Sequence, residues 1–181
     1  MIGKVVRLGK RSDFERRASD KYLTPLKAVT PLIPFISHVA TFVEPCAADG
    51  RLVRHLTGYG KSCKRFFDLT PDSVFVGRGD ALCETYEDVD AVITNPPWDR
   101  KILHAMIMHF VETSHEAWLL FDADWTHTLQ SVPYMKWCTD VVPVGRFKWI
   151  EKSKHTGKDN SAWHRFSRDS DGTTVFHPYA K

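Results

Sequence analysis

Residues Ala91-Val92-Ile93-Thr94-Asn95-Pro96-Pro97-Trp98 constrain the fold more than any other stretch of this chain. The short apolar run reads as a buried strand. Asn95-Pro96-Pro97 cannot continue it. Proline lacks an N–H, fixes its own φ and pushes the residue before it towards extended backbone. The strand must end in a stiff elbow, and the carboxyl ends of strands are where open α/β sheets bind ligands. The Asn95 side chain offers one carbonyl acceptor there, and the Pro96 main-chain carbonyl a second. Two acceptors converging on one point suit an –NH2 group. Trp98 adds a flat face on which a planar ring can stack. The bland reading of the same residues is a strand-ending turn with a surface tryptophan.

The 181 residues suit a single domain with a sizeable core, spanning 1–181 with a basic arm over 1–20. No apolar run approaches the ~20 residues of a membrane span, and the first residues lack a signal-peptide core. Cys46, Cys63, Cys83 and Cys138 form no C-x-x-C pair. They read as reduced thiols of a cytoplasmic protein. A net charge of +3 permits nucleic-acid binding without requiring it. The arm around Arg11, Arg16 and Arg17 is either solvated chain or a phosphate contact.

Taken in order, the chain alternates strands with helices. In Tyr22-Leu23-Thr24-Pro25, Thr24 is placed to cap a helix and Pro25 to occupy its first turn. Pro31 and Pro34 should divide the following apolar segment into two short helical pieces. Thr41 to Glu44 reads as a strand entering a small-residue turn, Pro45-Cys46-Ala47-Ala48-Asp49-Gly50, with a helix beginning at Arg51. Small residues let backbone approach a nucleotide-like ligand, so this layout suits a cradle for one. Lys64 to Leu69 reads as a second strand. Asp68 lies about 20 residues beyond the cradle, where dinucleotide folds place a ribose-binding acid. It equally suits a turn before Thr70-Pro71. Ser73 to Val76 reads as a third strand, and Asp80 follows at a strand-to-loop transition. Arg100 to Glu112 has helical character, with His104 and His109 off one another's face, which argues against a metal site. Glu116 to Phe121 reads as a fifth strand, with Asp124 capping a short helix after it. Val141 to Val144 and Arg146 to Ile150 look extended. Ser161 to Phe166 and Thr173 to Tyr179 read as a terminal hairpin turning at Ser170-Asp171-Gly172. Trp149 and Trp163 are expected to be packing residues.

Asn95-Pro96-Pro97-Trp98 resembles the catalytic tetrapeptide of amino-methyltransferases that use S-adenosylmethionine (SAM), most of all the adenine-N6 DNA methyltransferases of phages and bacteria. The resemblance extends in motif order from Tyr22 to Phe166. Tyr22-x-Thr24-Pro25 looks like the element that holds the methionine end of SAM. Glu44-Pro45-Cys46-Ala47-Ala48-Asp49-Gly50 looks like the SAM loop often written Glu-Pro-x-Ala-Gly-x-Gly. It departs from that pattern at Ala48, where a methyl group narrows the space and penalises positive φ. Asp68 and Asp80 take the places of the acids for the ribose and for the adenine amine.

The resemblance implies an α/β, Rossmann-like SAM-dependent methyltransferase fold, with a mixed, mostly parallel sheet and an antiparallel terminal hairpin. It implies SAM as cofactor and transfer of its methyl group to the N6 amine of adenine in DNA. Asn95, Pro96, Pro97 and Trp98 would form the catalytic elbow, with Asn95 also meeting the cofactor. Trp98 would hold a base flipped from the duplex. Lys152, Lys154 and Lys158 lie in a loop that is either a phosphate contact or merely solvated. Nucleic acid is thus the expected partner, with a further subunit supplying target recognition as an option. Methylation of RNA adenine, cytosine N4 or a protein glutamine uses related elbows, and a SAM-fold protein that binds without catalysis is the alternative of another class.

Overall fold

The structure, a computed structural model, describes residues 22–149 and 157–179. The basic arm, Lys152 and Lys154 lie outside the described residues. Eight strands form one sheet: β1 (Thr41–Glu44), β2 (Ser62–Asp68), β3 (Gly77–Arg78), β4 (Ala91–Thr94), β5 (Ala117–Asp122), β6 (Cys138–Gly145), β7 (Ser161–Phe166) and β8 (Val175–Phe176). Their order is β3-β2-β1-β4-β5-β7-β6-β8. The first five strands run parallel, and β7 lies antiparallel between β5 and β6. The helices are α1 (Leu26–Val29), α2 (Arg51–Gly58), α3 (Arg100–Thr113) and α4 (Val132–Met135).

The central strands are apolar on both faces because helical layers cover both. Alternation along each strand divides the core in two. Val43, Val92, Leu119 and Phe121 face Leu103, Ile107 and Phe110 of α3. Phe42, Ile93, Trp118 and Leu120 face Leu52 and Leu56 of α2, with Ala28, Leu32 and Ile36. Asp99 starts α3, its Oδ1 accepting from the main-chain N–H groups of Lys101 and Ile102 at 3.0 and 3.2 Å. Gly50 starts α2 at φ +78°, a left-handed conformation that glycine adopts without strain. At the other end of the sheet, Asp90 Oδ2 accepts from Ala40 N, Thr41 N and Thr41 Oγ1, joining the starts of β1 and β4.

Several elements differ from the sequence expectations. Ser73 to Val76 is a turn, closed by Val76 N donating to Ser73 O at 3.1 Å, and the third strand is Gly77–Arg78. Val74 and Phe75 are β-formers by type but stand in solvent, with no neighbouring strand to pair with. Ser161–Phe166 and the last strand form no hairpin with each other. β7 pairs with β6, and β8 adds parallel to the far side of β6. The stretch from Arg146 to Trp149 leaves the sheet. Thr24 does not cap α1. Pro25 takes that position without a side-chain hydrogen bond, and its carbonyl accepts from Ala28 N. Asp122 rather than Asp124 caps the short 3-10 helix after β5, accepting from Asp124 N. Two helical pieces do follow Pro25: α1, then a 3-10 turn from Thr30 to Ile36 that contains Pro31 and Pro34. No helix among the described residues is long and apolar enough to cross a membrane.

Trp163 fastens the segment before β1 to the sheet. Its ring is fully buried, and Nε1 donates to the carbonyl of Ala28 at 2.7 Å. Trp163→Phe keeps an aromatic ring, loses part of the buried bulk and leaves that carbonyl without its donor. A loss of about 1–3 kcal/mol of unfolding free energy in urea titrations is expected. A loss under ~0.5 kcal/mol, the scale of an ordinary surface change, would show that this bond does not anchor the segment.

Candidate active site

The parallel strands end together, and a cavity of about 490 Å3 opens at their carboxyl ends. Its volume lies within the usual range of small-molecule sites. One wall is the loop after β1, through Pro45, Cys46 and Ala48. A second is the end of β2, with Asp68, Leu69 and Thr70. Asp80, Ala81 and Leu82 form a third, and the Tyr86 hydroxyl holds that loop by donating to Ala81 O at 2.8 Å. Asn95 and Pro97 close the cavity from the elbow, with Asp99, Ile102 and Met106 at the start of α3, and Tyr22 from the segment before α1.

The loop after β1 is tightly pinned. Ala47 N donates to Phe67 O at 2.9 Å, and Gly50 N to Ala47 O at 2.6 Å. Asp68 is buried. Its Oδ2 accepts from Ala48 N at 2.9 Å and its Oδ1 from Thr70 N at 2.8 Å. It therefore lines the cavity and also makes the turn before Thr70. Asp80 likewise lines the cavity and accepts from Leu82 N at 3.0 Å. Ala48 has φ +47°, the sole positive φ of a non-glycine residue among those described. Its N–H is held by Asp68 and its carbonyl accepts from Asp72 N at 2.9 Å, so the loop imposes the conformation.

A smaller recess of about 20 Å3 shares Tyr22 and Asn95 with the cavity and is bounded further by Thr24, Glu44, Ala47 and Asp49. Pro25 lies at the start of α1, outside both linings. Glu44 is buried at the end of β1. Its Oε1 accepts from Cys46 N at 3.1 Å and from the Thr94 hydroxyl, which reaches across from β4. Its Oε2 is buried with no hydrogen-bond partner. Burial pushes the carboxyl up to about 8, against the lowering effect of the Thr94 and Cys46 hydrogen bonds.

The Asn95 amide has a defined orientation. Its Nδ2 donates to the main-chain carbonyl of Tyr22 at 2.9 Å. A carbonyl can only accept, so the amide nitrogen must face it and Oδ1 must turn the other way. Pro96 is buried, and Pro97 lines the cavity. Trp98 departs from the expected open stacking face. It is half-buried, donates from Nε1 to Leu120 O at 3.3 Å, and meets Trp149 edge-on at 5.5 Å between ring centroids. It borders the elbow without lining the cavity. His104 and His109 serve separate partners: the former accepts from Trp125 Nε1 at 3.0 Å, and the latter lies 2.8 Å from Glu84 O. Lys158 is exposed on the loop before β7. The sequence reading missed the α3 wall, although Asp99 has the residue type of a helix cap, and Ile102 and Met106 are spaced to share one face.

Two stability measurements test this geometry. Ala48→Gly should leave unfolding free energy equal or raise it by up to ~1 kcal/mol, because relief of left-handed strain slightly exceeds the backbone entropy that glycine loses. A clear loss would show that the loop does not hold positive φ. Glu44 concerns pH. Its folded carboxyl titrates near 8 and its unfolded one near 4.5. Between those values the folded state binds more protons, so this group's contribution is complete below pH 4.5 and is lost as pH rises towards 8. His164, buried and titrating near 3, acts with the opposite sign but only below its ordinary 6.5. From pH 6.5 to 8.5 the unmutated protein should therefore lose roughly 2 kcal/mol more than Glu44→Gln. Parallel pH profiles would refute a buried protonated Glu44.

No protein-family profile and no curated protein sequence matches the chain. Solved structures do resemble it. A candidate RNA methyltransferase of Pyrococcus horikoshii aligns with a TM-score of 0.55 at 17% identity, over 82% of this chain and 87% of that one. A candidate class I SAM-dependent methyltransferase of Listeria monocytogenes aligns with a TM-score of 0.59 at 11% identity, over 88% and 66%. The 23S rRNA methyltransferase ErmE aligns with a TM-score of 0.55 at 14% identity, over 80% and 68%. Together with the strand order and the cavity at the carboxyl ends of the parallel strands, these likenesses establish that the chain has the class I SAM-dependent methyltransferase fold.

Proposed function

We propose that this protein transfers a methyl group from SAM to the exocyclic N6 amine of adenine in DNA. The observation that carries the reading is the Asn95 amide, whose nitrogen is held by Tyr22 O so that its carbonyl oxygen is directed away from that contact. The cavity has the chemistry to hold the cofactor. The unpartnered Glu44 Oε2, beside Tyr22 and Thr24, suits the cationic methionine end. Asp68 stands at the wall as an acceptor for ribose hydroxyls, and Asp80 for the adenine amine. Leu69, Leu82 and Ile102 offer apolar surface to a flat ring. Pro45, Cys46 and Ala47 bring backbone close, and Gly50 starts the helix behind them.

When bound, SAM supplies an electrophilic methyl group that needs no metal. The rest is positioning by the chain. An exocyclic amine is a weak nucleophile because its lone pair is delocalised into the ring. Accepting its hydrogens at Asn95 Oδ1 and at the Pro96 carbonyl localises that lone pair. The prolines keep the elbow stiff, so the acceptors need no reorganisation at the moment of transfer. An adenine paired in a duplex has to be extruded first, and Trp98 would border its path. Lys158, with Lys152 and Lys154, is the proposed phosphate contact. RNA adenine is the second reading, because the Pyrococcus horikoshii protein and ErmE are both described as RNA methyltransferases.

Incubation with labelled SAM and separate DNA, RNA and protein samples, followed by digestion and mass spectrometry, tests the reading. N6-methyladenine in the DNA sample is expected. Asn95→Ala should lower the rate by a factor of ~10²–10³ while calorimetry still shows one SAM bound per chain. Product confined to RNA, to cytosine or to glutamine would move the substrate assignment. SAM binding with no product in any sample would support the non-catalytic alternative.

A further inference from the structure

Trp149 meets groups that belong to different parts of the chain. Its ring lies 4.4 Å from Phe147, 5.5 Å from Trp98 and 5.7 Å from Tyr22, centroid to centroid. Among the described residues, it is the ring that packs on both the catalytic elbow and the segment before α1. Its own position is set from below. Gly157 N donates to Phe147 O at 3.1 Å, and a Cβ on Gly157 would lie 3.3 Å from Trp149 Cδ1. That contact is tighter than side chains ordinarily make. The absence of a side chain at 157 thus lets the indole sit where it touches Tyr22.

Tyr22 matters through its main chain. An asparagine amide has nearly the same shape when its oxygen and nitrogen are exchanged, so sterics hardly choose between the two orientations. Hydrogen bonding does. With the nitrogen towards Tyr22 O, Oδ1 is left to accept from a substrate amine. With the amide reversed, a carbonyl oxygen would face Tyr22 O and an –NH2 would face the substrate's –NH2, and both contacts repel. The choice therefore rests on the Tyr22 carbonyl, 73 residues away in the chain. Downstream, Trp163 Nε1 holds the same segment through Ala28 O. At Tyr22 itself the Trp149 ring packs on the tyrosine side chain.

We infer that Trp149 is a positioning residue for the methyl acceptor site: it holds Tyr22 so that the Tyr22 carbonyl keeps the Asn95 amide with its oxygen towards the substrate. The inference rests on the proposed amino-methyltransferase reading, and it assigns to Trp149 a role beyond packing.

The test combines kinetics with the side-chain amide signals of Asn95 in ¹⁵N-labelled full-length protein, assigned by their loss in Asn95→Asp. Trp149→Leu retains apolar bulk against Phe147 but removes the ring. It should lower kcat roughly five- to ten-fold, the scale of one neutral hydrogen bond, and leave KM for DNA within about two-fold. The Asn95 side-chain signals should move towards those of a free amide and exchange faster with water. Trp149→Phe should restore both readouts. Gly157→Ala, which crowds the indole without removing it, should shift the same signals in the same direction. Unchanged Asn95 signals in Trp149→Leu would overturn the inference. So would a raised KM with unchanged kcat, which is the mark of a ring that contacts substrate directly. If the unmutated protein transfers no methyl group to any substrate, the proposed function fails, while the amide signals still decide whether Trp149 holds Tyr22 on Asn95.

Discussion

The carboxyl group of Glu44 joins the two central strands at the end where the cavity opens. One oxygen accepts from Thr94 on β4 and from the N–H of Cys46 in the loop after β1. These contacts put the loop and the elbow in register, and Asn95 follows Thr94 directly. A buried charge here would be costly without a partner. Burial resolves this by favouring the proton at neutral pH. A cationic group entering the recess would change that balance, because opposite charge stabilises the ionised form.

The remainder of the site is arranged by packing on the two faces of the sheet. The layer with α3 carries Asp99, Ile102 and Met106 to one wall. The layer with α1 and α2 carries Tyr22 to the other, because Ala28 and Val29 are buried against the sheet and Trp163 bonds to α1. Far from the cavity the antiparallel end of the sheet is braced by carboxylate contacts to arginine and histidine. Glu116 meets His38 and Arg165, and Asp140 meets Arg165 and His177. Long-range contacts of this kind bring residues at 22, 68, 80 and 95 to one cavity and residue 44 to the recess beside it, although they are spread over more than 70 positions of the chain.

Much of this arrangement was legible beforehand where local chemistry and global fold agree. The strand and elbow at Ala91 to Trp98, the loop after β1 and the helix from Arg100 all have signals that no competing interaction opposes. Prolines stop a strand wherever they fall, and small residues mark a loop that backbone must approach. Ser73 to Val76 misled because Val-Phe-Val has strand chemistry, yet a strand also needs a neighbour, and β2 pairs instead with Gly77 and Arg78. The antiparallel hairpin is there, formed by β6 and β7, but its expected pairing of Ser161–Phe166 with the last strand misled for the same reason. Ser170-Asp171-Gly172 does reverse the chain, but the edge of β7 is already taken on both sides by β5 and β6.

The sequence by itself determined the alternation of strands and helices, the stiff elbow after β4 and the acids at strand ends, because each follows from residue types a few positions apart. It also carried the motif order that points to SAM chemistry. Only the tertiary structure decided what those groups do to one another. That Ala48 takes a left-handed conformation depends on Asp68 and Asp72 gripping it from another strand and its loop. That Glu44 holds its proton depends on burial by both central strands. That the Asn95 amide points its nitrogen at Tyr22, and that Trp98 packs on Trp149 rather than standing open, depends on segments tens of residues away folding against the elbow. Orientation and protonation depend on the environment of a group, and that environment exists only after distant parts of the chain have packed together.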